Sequence, residues 1–230
     1  MPARMRTQRE GLYARTLAAA AFPDREAHAD TAACAELCNR ARSRGVQCAR
    51  DHHVLVEVDG RPPLEVIRDL FERADARDRG LLQSALFLGI EMRPDLSAYG
   101  RGDFLIRNVT AADPNTGAMT IAAPLREGLV VQFHLRDAQT SADDLDERLA
   151  HYQFERGGMG PPHGALLFSC LGRGAWLYGA PNHDSDAFRR HVGAVPLGGF
   201  FCNGEIGPVE QRTFLHGYTS AFGLFRPRLA

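Results

Sequence analysis

The sequence predicts a mixed α/β (α+β) fold, a largely antiparallel sheet with helices packed on it. Three observations carry this reading. Apolar runs of strand length follow one another between Gly, Pro, Asp and Asn turn signals, only a few segments repeat at helical spacing, and strands and helices do not alternate as a doubly wound nucleotide fold requires. With 230 residues, 44% of them hydrophobic, the chain can bury roughly 70% of the surface its unfolded form exposes, enough for a core without disulfides.

Residues 1–50 are rich in Ala and Arg and show patchy helical periodicity over 12–20 and 31–41, so they read as a poorly defined N-terminal extension. Residues 51–230 read as the domain. Val54, Val56 and Val58 alternate with Leu55 and Glu57 and stop at Asp59-Gly60, a strand ending in a tight turn. Pro62 and Pro63 then suit a first helical turn. Leu64, Ile67, Leu70 and Phe71 continue at helical spacing, and Gly80 is read as the end of that helix. Strand-like runs follow at 85–90, 104–109, 118–122 and 129–135, with Asp113-Pro114-Asn115-Thr116-Gly117 as a hairpin turn, since Pro presets φ and Gly accepts positive φ.

A helix is predicted over 141–151, with Ser141 as its cap and Asp143, Asp144, Asp146 and Glu147 as a solvated face that complements the helix dipole. A buried strand at 165–170 runs into Gly172-Arg173-Gly174, and a short helix over 185–192 takes Asp184 as its cap. The chain closes with a strand at 196–202, the turn 203–208 and a long alternating run at 214–225, read as two strands joined by that turn.

Composition excludes several function classes. A net charge of −1 provides no broad basic field, so no nucleic-acid partner is expected. All 27 basic residues are Arg, which removes Schiff-base chemistry and the Walker A phosphate loop, both of which need a lysine amine. Five cysteines, an odd count, without an apolar leader point to reduced thiols and a cytoplasmic location. No apolar run approaches the roughly 18 residues of a membrane span. Cys34 and Cys38 share a spacing of four, but no His or second Cys pair completes a zinc pattern, and nothing calls for a metal or a cofactor.

Two segments carry a family resemblance. Gly164-Ala165-Leu166-Leu167-Phe168-Ser169-Cys170-Leu171-Gly172-Arg173-Gly174 and, more specifically, Pro196-Leu197-Gly198-Gly199-Phe200-Phe201-Cys202-Asn203-Gly204-Glu205-Ile206-Gly207-Pro208 resemble the strand-and-loop signatures of the C-terminal half of FIST sensory domains. Segments at 56–66, 104–108, 131–137 and 214–219 fall in the matching order. The resemblance covers about residues 50–226 and implies a sensory, signal-transduction module that binds small ligands, amino acids among them. The same region is similar to the FIST part of a eukaryotic F-box protein, which implies a protein-interaction role. Residues 1–50 do not match the N-terminal half that accompanies this region elsewhere, so apolar surface left for self-association or for another chain is expected.

Within that frame two turns supply the candidate ligand contacts. Cys170, Gly172, Arg173 and Gly174 form one, in which absent side chains let a ligand approach the backbone and Arg173 can pair with an anionic group. Cys202, Asn203 and Glu205 form the other, and the resemblance favours Glu205 as a contact. The two turns are expected side by side, with Arg173 and Glu205 gripping opposite ends of a zwitterion across a common cavity. Arg107 with Asn108, and Arg136 with Asp137, are read as strand-end polar pairs that either converge on the site or form surface ion pairs. For Cys170 three readings stand open: core residue, pocket-lining thiol, or nucleophile with His163, His183 or His216 as base. A binding module rather than an enzyme is expected, with no catalytic residue assigned.

Overall fold

In the computed structural model, residues 13–19, 46–48, 52–93, 99, 103–156, 160–209 and 212–226 are described, and Cys34 and Cys38 lie outside them. The fold is α+β, with mainly antiparallel sheets and several helices. The chain divides into two compact units, one formed by 13–19 with the chain from Leu145 onward, the other by the chain between, up to Asp144.

The second unit is built on six strands, β2 (Val46–Cys48), β3 (Val54–Val58), β4 (Leu86–Glu91), β5 (Phe104–Ala112), β6 (Met119–Ile121) and β7 (Val131–Leu135), in the order β2-β3-β6-β5-β4-β7. Within β3 Leu55 and Val58 are buried, and these join Leu88, Ile90, Ile121, Val131 and Phe133 in one core. Leu64, Val66 and Ile67 of α1 (Pro63–Arg73) pack against it. The 113–117 turn closes β5 onto β6: the Asp113 carboxylate accepts from Asn115 N and Thr116 Oγ1 at 2.9 and 2.7 Å, while Gly117 takes φ +75°.

Three expectations change here. The helix after Pro63 does not run on to Gly80; it stops at Arg73, and α2 (Ala76–Ser84) starts afresh with Gly80 inside it. Asp75 causes the break, because its side chain accepts from Asp78 N at 2.8 Å and so draws the chain into an N-cap rather than a continuing turn. Ser141 is not the cap of the next helix, α3 (Ala138–Arg156), but lies fully buried inside it. Asp137 caps it instead, accepting from Thr140 N at 3.0 Å and Thr140 Oγ1 at 2.6 Å. Asp144, read as part of a solvated face, is buried as well.

The first unit holds a four-stranded sheet in the order β1-β12-β8-β9, with β1 at Tyr13–Ala19, β8 at Gly164–Cys170, β9 at Leu197–Cys202 and β12 at Ser220–Arg226. Patchy helical spacing over 12–20 therefore gives way to a strand, which pairs antiparallel with β12 along its whole length. Two helices, α4 (Ala175–Tyr178) and α5 (His183–Val192), connect β8 to β9, and β9 runs parallel to β8. The core lies between the sheet and the helices: Phe222 stacks on Phe188 of α5 with ring centres 5.4 Å apart, beside Leu145, Leu149, Val192 and Leu224.

The end of the chain also departs from expectation. The turn at 203–208 contains a strand, β10 (Glu205–Val209), which pairs with β11 (Arg212–His216), and the run read as one long strand breaks between β11 and β12. Tyr218 sits there at φ +63°, a left-handed conformation that no continuous strand accommodates. No helix among the described residues is long and apolar enough to cross a membrane.

Candidate functional site

Parallel register brings the two glycine-rich turns together. Ala165 faces Leu197 and Cys170 faces Cys202 at the strand ends, and Leu171 N donates to Cys202 O at 2.9 Å just beyond. Gly199 makes so close an approach workable. A Cβ there would lie 1.9 Å from Leu167 O, and its φ is +153°, so only glycine fits.

Arg173 turns inward from its loop. Its side chain is fully buried, with Nε and Nη2 donating to Asp184 Oδ2 and Oδ1 at 2.8 and 3.0 Å. Nη2 also reaches Tyr178 Oη at 2.5 Å, and the guanidinium lies 5.5 Å from the Tyr178 ring centre. Asp184 collects further donors: Ser169 Oγ at 3.0 Å, Ser220 Oγ at 2.6 Å, and His183 Nδ1 at 3.2 Å. Burial pushes the Asp184 carboxyl up, but the His183 hydrogen bond, the Arg173 fork and charge, and Ser220 outweigh it and hold the group well below the usual carboxylate range. His183 in turn stacks on Tyr178 with ring centres 3.6 Å apart.

Glu205 is buried too, and it faces a different set of partners. Its Oε2 accepts from Thr219 N at 3.2 Å and Thr219 Oγ1 at 2.8 Å, and its Oε1 from Cys202 Sγ at 3.5 Å. Burial, together with the Glu205 charge and hydrogen bond, pushes the Cys202 thiol above its ordinary value. Cys170 is buried at the end of β8, its N donating to Thr219 O at 3.0 Å. His216, weighed as a base, gives Nε2 to Gly207 O at 3.1 Å. Gly172 is half-buried and Asn203 exposed.

Arg173 and Glu205 therefore sit near one another but do not reach a shared cavity as an opposed pair. Both engage protein groups, and consecutive residues join their surroundings: Tyr218 O accepts from Arg173 Nη1 at 3.5 Å, Thr219 binds Glu205, and Ser220 binds Asp184. Asp184, read as a helix cap, is the buried counter-ion. Asn182 takes the cap position instead, at φ +63° and without a side-chain cap bond.

The concave space is bordered by Ser169 and Asp184 of this network and by neither Arg173 nor Glu205. A cleft of about 400 Å³ is lined by apolar Leu167, Leu197 and Phe201, by Gly174, Ala175 and Pro181, and by Ser169, Asp184 and the start of α5, which make its polar end. Sequence reading selected Gly174 from this set and missed Asn182, Ser185 and the glycines of β9. The signal available was Gly198-Gly199 opposite a buried strand, which marks a close backbone approach.

Arg107, Asn108, Arg136 and Asp137 belong to the other unit. Arg107 and Asn108 do not end a strand, since β5 continues to Ala112; Arg107 Nη1 donates to Ile106 O at 2.8 Å. Arg136 N donates to Ala85 O at 3.0 Å, and Asp137, besides capping α3, accepts from Arg77 Nη2 at 2.8 Å.

The chain is 42% identical over 175 residues to an uncharacterized protein of Mycobacterium tuberculosis, covering 76% of this chain and 45% of that protein. It is 43% identical over 142 residues to the human F-box only protein 22, covering 52% of this chain and 35% of the relative. An F-box/LRR-repeat protein of Arabidopsis thaliana matches at 26% over 149 residues, 59% of this chain and 27% of the relative. The chain thus spans about half the length of the mycobacterial relative, and its kinship fits a signalling module. With a match over residues 63–208 that takes in both turns and the cleft, the chain belongs to the FIST C domain family.

Proposed function

We propose that this chain is a small-ligand-binding sensory module whose site is the cleft between β9 and the start of α5, and that its ligands are amino acids or related small carboxylates. The observation that carries the reading is the polar end of the cleft. The first bond within α5 runs from Asp186 N to Asn182 O at 2.8 Å, and Asn182 makes no side-chain cap. The preceding N–H groups have no partner within the helix, so a carboxylate there meets backbone donors and the positive end of the helix dipole. Leu167, Leu197 and Phe201 offer an apolar wall for a side chain, and a space of about 400 Å³ suits a small molecule. The exposed Asn182 amide supplies an acceptor for an ammonium group.

Arg173 and Asp184 act in this reading as positioning groups. Their buried fork fixes His183 and the first turn of α5 and so pre-forms the polar end. A thermal-shift screen of amino acids against their decarboxylated amines tests the reading: amino acids should raise the midpoint and the amines should not. Equal shifts from both series would remove the carboxylate assignment.

A second reading, a protein-interaction module of a signalling or ubiquitin-ligase-like assembly, is favoured by a separate observation. Trp176, Phe200, Ile206 and Leu215 are 93%, 63%, 71% and 58% exposed, all in the first unit. Exposed aromatic and aliphatic side chains at this density suit capture of another chain or self-association.

A further inference from the structure

Both strands that converge on the glycine-rich turns end in cysteine. Cys170 and Cys202 are register partners across the parallel β8–β9 pair, and both thiols are free. Neighbouring strands lie about 4.7–4.9 Å apart, and paired residues in register point to the same face. That spacing falls within the range of about 4.4–6.8 Å that a disulfide spans between Cα atoms. The two thiols are also close enough that charge on Cys170 raises the pKa of Cys202. Their exposures differ: Cys170 is 6% exposed, whereas Cys202 is half-buried and is met first by a small reagent. Each stands at a strand end two residues from a glycine, Gly172 on one side and Gly204 at φ +158° on the other. Small shifts needed to bring the sulfurs into bonding geometry can be absorbed there.

We propose that Cys170 and Cys202 form an oxidative modification site that closes to a cross-strand disulfide when the protein meets a hydroperoxide. Burial and the neighbouring Glu205 charge favour the protonated Cys202 thiol, so the step begins when solvent hydroxide takes its proton as water, and the sulfur then attacks one peroxide oxygen. The O–O bond breaks, the departing hydroxide replaces the one consumed, and Cys202 becomes a sulfenic acid. The Cys170 sulfur then attacks the Cys202 sulfur. An S–S bond forms, the S–O bond breaks, and the hydroxyl leaves with the Cys170 proton as a second water. Two thiols and one hydrogen peroxide thus become one disulfide and two waters; each sulfur gives up one electron and the peroxide oxygens are reduced. Closure withdraws the S–H donor from Glu205 Oε1, while Glu205 Oε2 holds Thr219 in the turn whose Tyr218 O meets Arg173. Oxidation is therefore felt at both buried charged groups. This inference stands independently of the ligand site.

The test uses the full chain under native conditions with excess hydrogen peroxide, followed by alkylation of remaining thiols after unfolding and tryptic digestion without reduction. Because the chain contains no Lys, trypsin cuts only after Arg, and fragments 157–173 and 191–212 carry Cys170 and Cys202 as their sole cysteines. The expected product is these two fragments joined, lighter by two hydrogens than their sum and separated by reductant. In Cys170→Ser the joined species should vanish and Cys202 should be trapped by dimedone as a sulfenic acid. Oxidation of Cys202 to sulfinic acid in the wild type while Cys170 remains alkylated would overturn the proposal. So would linkage of either fragment to Cys34, Cys38 or Cys48, or full alkylation of both thiols.

Discussion

The guanidinium of Arg173 and the carboxylate of Asp184 form a two-point fork, 2.8 and 3.0 Å long, with the Arg side chain wholly out of solvent. Removing one member leaves the other charge buried and uncompensated, so Arg173→Ala or Asp184→Ala should each destabilise the first unit by about 3–5 kcal/mol. Urea titration measures this, and a loss under about 1 kcal/mol would show the pair to be no stronger than a surface contact. Because the Asp184 pKa is lowered on folding, its stabilisation is fully present above the unfolded value of 3.8 and is lost as pH falls through the folded value. Asp184→Asn should therefore flatten the stability profile below about pH 4.

His134 lies in the second unit, and burial holds its pKa down to about 3 from 6.5. The unfolded chain then binds more protons than the folded one between these values, so stability rises with pH across that window. We expect no titration of His134 between pH 5 and 8 in NMR spectra. His134→Gln should reduce the pH slope of unfolding free energy by roughly 1 kcal/mol per pH unit between pH 6 and 4. A His134 resonance moving with a midpoint near 6.5 would contradict the burial.

Gly199 is constrained twice, by a φ of +153° and by the Leu167 carbonyl 1.9 Å from an added Cβ. Gly199→Ala must push β9 away from β8, and we expect it to cost about 3 kcal/mol or more in denaturant unfolding. Gly193 also has a positive φ, +98°, but nothing lies within 4 Å of its Cβ position. Gly193→Ala should cost only about 1 kcal/mol, from backbone strain alone. Equal losses in the two variants would remove the steric argument.

Exposed Phe200, Ile206 and Leu215 underlie the interaction reading. If they mediate association, light scattering of the wild type should give a mass above one chain at micromolar concentration. Substituting all three by Ser should return it to a single-chain mass with the thermal midpoint retained. A single-chain mass for the wild type would count against self-association.

Much of the fold was legible because its signals are local. Val54–Val58 is a run rich in β-branched valine that ends at Asp59-Gly60, Asp113–Gly117 carries its own turn hydrogen bonds, and Pro63 marks a helix start, each within a few residues. The parallel pairing of β8 with β9 was not legible, since it depends on α4 and α5 carrying the chain across between them. The adjacency of the two turns was anticipated from their matching composition, and the register of Cys170 with Cys202 realises it. The partners of Arg173 and Glu205 were not. A buried Arg needs an acid, but choosing Asp184 over the other acids in the chain requires knowing that Ser169, Ser220 and His183 also converge there. Asp184 also follows a loop, where an acid reads as a cap; Asn182, which tolerates a left-handed backbone, takes that place and frees Asp184 to turn inward.

Calorimetric titration of an amino acid that raises the thermal midpoint, into the wild type and two variants, tests the proposed site most directly. Ala175→Trp places a large ring at an exposed residue of the cleft lining, whereas Glu205→Gln alters the buried acid outside the cleft lining. The cleft reading predicts that Ala175→Trp abolishes binding heat while remaining folded by circular dichroism, and that Glu205→Gln binds within about threefold of the wild type, under 1 kcal/mol. Wild-type affinity in Ala175→Trp, with binding lost in a folded Glu205→Gln, would contradict it and return the ligand to the turn that holds Glu205.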